Sequence, residues 1–249
     1  MNIQNKATSN VIVIILIFLS LLGLFVGCKE KRTVYKPPPP PTQSLGSGPE
    51  FSSQPIKDYI VKEPNGGYFE NGTYINDFLG FSMEFPNNWT IVGDDGIEKQ
   101  IIIEGSAQLS SGNNNDKRDF VELVNETVLF LFLCSKYPAA TPNVLNCNIS
   151  VICENTSQYG NLTIDEYISG MKESMNSDNW YTFKDLASRN INGTIFKAFS
   201  AHTDIFGFDV YQRAYLKKLD GYILTFNLTY SDNESLSELD EILNTANLN

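Results

Sequence analysis

Two turn signals in the C-terminal third of the chain constrain its fold most tightly. Asn192-Gly193 and Asp220-Gly221 each separate two strand-like runs, and such pairs supply the positive-φ residues of two-residue hairpin turns. In the run YILTFNLTY, from Tyr222 to Tyr230, apolar and polar side chains alternate, which predicts a strand with one buried face. The preceding run DVYQRAYLKK alternates as well, so the two should pair antiparallel. The sequence therefore predicts a meander of four strands.

Two amphipathic segments are predicted to form helices that cover this sheet. Thr163 stands three residues before Glu166, and Ser231 stands three residues before Glu234, which is the spacing of a capping box. An antiparallel sheet needs cover on at least one face, and these helices can provide it. Apolar residues recur at helical spacing in both segments: Ile164, Tyr167, Ile168, Met171 and Met175 in the first, and Leu236, Leu239, Ile242, Leu243 and Ala246 in the second.

Upstream segments complete the predicted fold class. The runs TVLFLFLCS and VLNCNISVICEN have the composition of strands, and the first is so continuously apolar that it should be covered on both faces. Short helices are predicted between Asp94 and Asn125. The prediction is an α+β fold, an antiparallel sheet with helices on its faces.

The N-terminus has the layout of a secretory leader. An apolar stretch from Val11 to Gly27 follows a short polar start that contains Lys6 and no acidic residue. It ends in FVGC, which resembles the lipobox after which the cysteine, here Cys28, receives lipid such as palmitate and becomes the new N-terminus. A single-pass membrane anchor is the alternative, because the stretch is just long enough to span a bilayer. Both readings place the rest of the chain on the extracytoplasmic face of the cell membrane.

The composition changes sharply after the leader. Residues 28–65 include five consecutive prolines followed by Gly and Ser positions, which predicts a stiff and then flexible tether rather than a packed unit. The start of the tether carries four basic residues, Lys29, Lys31, Arg32 and Lys36. They either lie against anionic lipid head groups or form a solvated part of the tether. The predicted organisation is a leader at 1–27, a lipid-anchored tether at 28–65 and one α+β domain at 66–249.

The stretch NDFLGFSMEFPNNW resembles the opening of the PsbP-like domain. The matching residues are Gly80, Phe81, Phe85, Pro86 and Trp89. The predicted order of elements from Tyr68 to Leu248 is also similar to that family. The resemblance implies an α-β-α sandwich that acts as a binding or assembly module rather than as a catalyst.

The same residues have structural roles that do not depend on the family. Phe81, Met83 and Phe85 share one face of a predicted strand, Pro86 ends that strand, and Trp89 can fold back onto the edge of the core. The alternative is an aromatic binding site. Core packing is favoured because these rings bury so much area.

Charge and residue content exclude several functions. Acidic residues outnumber basic ones by 29 to 18, which opposes binding to nucleic acid because neutralising phosphates requires clustered Lys and Arg. His202 is the only histidine, and its strand-like surroundings favour a structural role over that of a catalytic base. No phosphate loop or metal-ligand spacing is present, so we expect neither cofactor nor metal.

Cysteines and sequons leave alternatives open. If Cys28 carries lipid, Cys134 could pair with Cys147 or Cys153, or all three could be buried thiols. Nine Asn-x-Ser/Thr sequons indicate either N-glycosylation or simply an Asn-rich composition. These are Asn71, Asn88, Asn125, Asn148, Asn155, Asn161, Asn192, Asn227 and Asn233.

The sequence favours a non-catalytic lipoprotein of the cell surface. Its partners would be membrane lipid, through the anchor, and an envelope protein whose identity the sequence does not give. The alternative is a carrier of a small apolar ligand, which predicts an enclosed apolar pocket with a few polar groups. A single-pass anchored protein of the same fold is the second alternative, and an enzyme dependent on His202 is the third.

Overall fold

The computed structural model describes residues 64–93, 127–138, 141, 144–176, 180–205 and 207–248. The predicted leader, nearly all of the tether and the helices predicted between Asp94 and Asn125 lie outside these residues. The described part is mostly antiparallel sheet with two α-helices, so the α+β class is confirmed. Within these residues, no helix has the length and apolarity needed to cross a bilayer.

The elements from the apolar run TVLFLFLCS to the second helix follow one another in the predicted order, and a short strand that the sequence did not predict comes after them. The strands are β1 (Tyr68–Glu70), β2 (Thr73–Asn76), β3 (Phe81–Glu84), β4 (Thr90–Gly93), β5 (Val128–Ser135), β6 (Asn148–Asn155), β7 (Thr182–Ile191), β8 (Thr194–Ile205), β9 (Phe208–Leu219), β10 (Tyr222–Tyr230) and β11 (Asn247–Leu248). A 3₁₀ turn at Ser157–Tyr159 and helix α1 (Ile164–Met175) lie between β6 and β7, and helix α2 (Asn233–Leu243) follows β10.

The predicted meander forms one side of a large seven-stranded sheet. Its strand order is β4-β5-β6-β10-β9-β8-β7, so β7 to β10 are consecutive neighbours. Asn192 and Gly193 both have positive φ, at 45° and 89°, as the turn signal predicts. At the second turn only Gly221 is left-handed, with φ at 72°, so the expectation of a positive φ at Asp220 is wrong.

A small second sheet was not predicted from the sequence. Strands β1, β2, β3 and β11 form it in that order, and Phe81 of β3 pairs with Leu248 of β11. The second amphipathic segment is therefore shorter as a helix than its apolar spacing suggested. It ends at Leu243, and the chain then extends to pair with β3.

The two helices begin with different caps. At α1 the predicted capping box is present, because the Thr163 backbone N–H donates to Glu166 Oε2 at 2.9 Å and the Glu166 N–H donates to Thr163 Oγ1 at 3.2 Å. At α2 the predicted capping box of Ser231 and Glu234 is wrong. Asp232 caps the helix instead, accepting from the Ser235 backbone N–H at 2.8 Å, and a carboxylate there also suits the helix dipole.

The helices pack against different residues of the large sheet. The buried stripe of α2 joins a core cluster with Phe196 of β8 and Phe226 of β10. Helix α1 contacts β8 through a different residue, because its Lys172 Nζ lies 5.2 Å from the centre of the Phe199 ring. Phe199 and Phe196 are three residues apart in β8, so their side chains point to opposite sides of that strand.

Aromatic packing joins the small sheet to the large one. The ring of Tyr74 stands 4.6 Å from that of Phe132, and the ring of Phe81 stands 5.4 Å from that of Phe226. Phe81, Met83 and Phe85 are all buried, so their predicted shared core face is confirmed. The EFPNNW turn, Glu84 to Trp89, therefore begins at a buried strand face on the edge of the core.

Strand β10 departs from its period-two pattern. Both of its faces are buried, and Thr225, Asn227 and Thr229 are at most 3% exposed. The expectation of one exposed face is wrong because β10 is the centre of a sheet that is covered on both sides. The pattern identified the strand correctly but not its environment.

Candidate functional site

A groove opens between the EFPNNW turn and helix α2. On the side of the turn, the Phe85 backbone N–H donates to Gly72 O at 2.9 Å, which fixes the end of β3. Pro86 ends the strand, and the Trp89 N–H donates back to Pro86 O at 3.0 Å, closing a tight turn. Trp89 is partly buried and packs against the core cluster, as predicted, with the rest of its ring lining the groove.

Helix α2 forms the opposite wall. Ile242 is buried at its base, and the exposed Glu241 stands on its rim. Thr245, which follows the end of α2, joins the two walls of the groove. Its hydroxyl accepts a hydrogen bond from the Glu84 backbone N–H at 2.9 Å and lies 3.1 Å from Glu84 O. The width of the groove is therefore set by hydrogen bonds between β3 and the chain after α2.

The groove is half-open and has a mixed surface. Its volume is about 440 Å³. Apolar side chains form the floor and charged ones the rim, and the residues are Glu84, Phe85, Pro86, Asn88, Trp89, Lys136, Glu238, Glu241, Ile242 and Thr245. Three carboxylates face one ammonium group, so the lining carries a net charge of −2 at neutral pH.

Lys136, the one basic residue among the described residues of the rim, is already paired. Lys136 Nζ lies 2.6 Å from Glu238 Oε1, with each side chain about two-thirds buried. That hydrogen bond raises the pKa of Lys136, so the ammonium form is favoured. The second oxygen, Glu238 Oε2, is buried and accepts no hydrogen bond from the described residues. Glu84 and Glu241 form no ion pair with any residue that the structure describes.

His202, the only histidine of the chain, lies among aromatic and acidic side chains. Its Nε2 lies 2.7 Å from Asp209 Oδ1, and its ring stacks on that of Tyr211 with centres 4.5 Å apart. Tyr211 in turn stacks on Tyr230 at 5.7 Å. No serine or cysteine side chain among the described residues hydrogen-bonds to the His202 ring, so the geometry of a nucleophile and its base is not assembled there.

A buried carboxyl that the sequence did not reveal lies between the large sheet and α1. Glu154 of β6 is 1% exposed, and Tyr159 Oη donates to its Oε1 at 3.5 Å. Burial raises the pKa of Glu154 to about 8, and the hydroxyls of Tyr167 and Tyr159 oppose this effect only in part. Only the alternation along β6 could have indicated it, since Glu154 shares a face with Ile152.

The three cysteines of the domain are buried thiols in the structure. Burial raises the pKa of Cys134 and of Cys153 to about 12, so both remain protonated at neutral pH. Cys134 pairs with Ile149, which separates it from Cys153 by four residues, or about 13 Å, along β6. Cys147 is the diagonal neighbour of Cys134, so it is the better placed of the two candidate disulfide partners.

Burial divides the predicted glycosylation sites. Asn148 and Asn227 lie in central strands at 2% and 3% exposure, and a glycan at either is incompatible with this packing. Asn192 is exposed, but its Nδ2 donates to Asn244 O and Ala246 O at 2.9 Å. Asn125 lies outside the described residues. The exposed sites are Asn71, Asn88, Asn161 and Asn233, whereas Asn155 is half-buried and its Oδ1 accepts from the backbone N–H and the hydroxyl of Ser157.

The groove is thus the arrangement that brings predicted residues together. Phe85, Pro86 and Trp89, which carried the family resemblance, meet Ile242 of the predicted helix stripe there. The sequence did not show that Lys136 and three glutamates would join them. No group of three or more metal-binding side chains occurs within the described ranges.

Comparison with known proteins gives structural likenesses only. No protein-family profile and no curated protein sequence matches the chain. Solved structures that resemble it include cyanobacterial PsbP (CyanoP) from Synechocystis sp. PCC 6803, with 12% identity, a TM-score of 0.42 and coverage of 71% of this chain and 91% of that one. PsbP, named above from the sequence, is therefore among its structural neighbours.

Two further neighbours are equally remote in sequence. LpqN of Mycobacterium tuberculosis, described as involved in cell envelope biogenesis, has 11% identity and a TM-score of 0.39, over 68% of this chain and 82% of that one. A protein from Bacteroides thetaiotaomicron has 16% identity and a TM-score of 0.38, over 72% of this chain and 48% of that one. At these values the comparisons assign the chain to no family and carry no function.

Proposed function

We propose that this chain is a cell-surface lipoprotein whose domain docks another component of the envelope without catalysing a reaction. Lipid on Cys28 would anchor it, and the tether at 28–65 would hold the domain at 66–249 away from the bilayer. The domain would have the PsbP-like α-β-α sandwich arrangement. The observation that carries the docking function is the half-open groove between the EFPNNW turn and α2.

The shape and lining of the groove favour docking over the carrying of a small apolar ligand. A carrier site encloses most of its ligand among apolar walls. This groove is open to solvent, and carboxylates stand on both of its walls, at Glu84 and at Glu241. An apolar floor with a charged rim is instead the composition of a protein interface.

The rival anchor and the enzyme make different predictions. A single-pass anchor would leave the domain and its groove unchanged and would differ only in keeping the apolar stretch from Val11 to Gly27. An enzyme would require a reacting pair, and the pairing of His202 with Asp209 and Tyr211 leaves that histidine without a nucleophile among the described residues.

Photocrosslinking in the intact envelope tests the docking function. A photoreactive amino acid replaces Asn88 in the groove, and in a matched variant it replaces Asn161, which is equally exposed but lies before α1. We expect a discrete protein adduct from position 88 and none from position 161. Equal adducts from both positions, or none from position 88, would refute docking through this groove.

A further inference from the structure

We propose that the groove receives a Lys- and Arg-rich segment of the partner protein. This inference depends on the docking function proposed above and adds the chemistry of the partner. It follows from the charge of the rim and from the apolar floor.

Two carboxylates of the rim have no ion-pair partner among the described residues. Lys136 is engaged by Glu238, while Glu84 and Glu241 form no ion pair with any described residue. The two stand on opposite walls, one at the end of β3 and the other on α2. A cationic segment lying along the groove would therefore meet a carboxylate on each side.

The floor matches the rest of a long basic side chain. The partly buried Trp89 contributes aromatic surface to the floor, and the buried Ile242 lies beside it. The methylene stem of Lys or Arg packs on apolar surface while its charged head stays at the polar rim. A cation over the face of Trp is favourable in addition.

Other occupants fit this lining less well. Carboxylates repel anionic lipid head groups and phosphates, and an uncharged apolar ligand would desolvate the rim without pairing it. A second copy of a chain with a net charge of −11 would be repelled as a whole. The basic residues of the chain's own tether, Lys29 to Lys36, are the competing source of the same chemistry, and the test separates them from a partner.

The test measures the binding of a peptide to the full chain in detergent micelles at physiological ionic strength. The probe is a six-residue peptide of alternating Lys and Arg, and a hexaglutamate peptide is its control. Trp180→Phe, at a side chain that is 71% exposed, leaves Trp89 as the only tryptophan. The emission of Trp89 then reports occupancy of the groove itself.

Matched variants separate groove binding from general attraction to an acidic chain. Glu84→Gln with Glu241→Gln should weaken peptide binding about fivefold, because two exposed charge contacts are lost. Glu173→Gln with Asp220→Asn removes the same charge from exposed positions elsewhere and should leave binding within about twofold. Equal losses in the two pairs, no change in Trp89 emission, or tighter binding of hexaglutamate would overturn the proposal.

Two further outcomes distinguish failure of this inference from failure of the docking function. If the basic peptide does not bind but the photoreactive residue at position 88 still gives a protein adduct, the docking function stands and the proposed Lys- and Arg-rich partner segment is refuted. If the peptide does not bind and position 88 gives no adduct, the docking function is refuted as well. Replacing Lys29, Lys31, Arg32 and Lys36 by Gln should leave peptide affinity unchanged. An affinity more than tenfold higher in that variant would show that the chain's own tether holds the groove, which overturns the assignment to a partner.

Discussion

Replacement of Glu154 by Gln should change the pH dependence of stability more than any other single substitution in the described domain. Glu154 is 1% exposed and lies among Tyr167, Tyr159 and the neighbouring Cys153. No cationic group among the described residues pairs with it, and burial raises its pKa from 4.5 to about 8. The folded domain therefore retains a proton there that the unfolded chain loses at much lower pH.

The sign and the size follow from this difference. Between about pH 4.5 and pH 8 the folded state binds one more proton at Glu154 than the unfolded state, so the free energy of unfolding falls as pH rises. The full effect is about 5 kcal/mol, since one pKa unit corresponds to about 1.4 kcal/mol. Stability is highest near the acid end of this range and levels off once pH exceeds about 8.

Urea unfolding at a series of pH values measures the effect. The difference between wild type and Glu154→Gln isolates this residue, because all other titrating groups are shared. The Gln variant should become relatively more stable as pH rises from 5 to 8. Glu173→Gln, on the exposed side of α1, is the control and should show no such trend. A pH-independent difference for Glu154→Gln would refute the burial argument.

Three further experiments test other parts of the fold by urea unfolding. Phe132→Ala, at a ring that is 0% exposed, should cost about 3–5 kcal/mol, whereas Ile195→Ala, 61% exposed, should cost little; equal costs would contradict the core described here. Asp232→Ala should cost about 1 kcal/mol and Ser231→Ala less, and the reverse order would restore Ser231 as the cap. Asp240→Asn should cost about 1–3 kcal/mol, because two half-buried arginines lose their counter-charge, and an unchanged midpoint would show that this cluster adds nothing.

Local patterns predicted the elements whose signals are contained within a few residues. The Asn192-Gly193 turn and the capping box of Thr163 and Glu166 depend on backbone groups nearby, and both are as expected. The alternation in β10 gave the bounds of that strand for the same reason.

Long-range contacts explain what the patterns missed. Strand β11 is two residues long, and it is a strand only because β3, distant in sequence, lies beside it. The burial of Asn227 and Thr229 results from what covers the sheet, which alternation does not encode. Asp232 and Ser231 are both acceptable caps, and their competition is decided by the path of the chain leaving β10.

The candidate site was half predictable. The apolar part, Phe85 to Trp89, was visible because an aromatic strand followed by proline is a local signal. The charged part was not, since Lys136 and Glu238 are 102 residues apart and meet only in the folded domain. The acidic rim that determines the proposed partner is therefore a product of tertiary structure.

Mass spectrometry of the native protein's N-terminus tests the central claim most directly. The account predicts that the protein in the membrane fraction has an N-terminal peptide that begins at Cys28 and carries the mass of fatty acyl chains. This acylated peptide should be absent from the Cys28→Ala variant. A membrane-bound chain that still begins at Met1 would replace the lipid by a single-pass anchor. An unmodified chain beginning at Met1 and recovered from the cytosol would contradict the account.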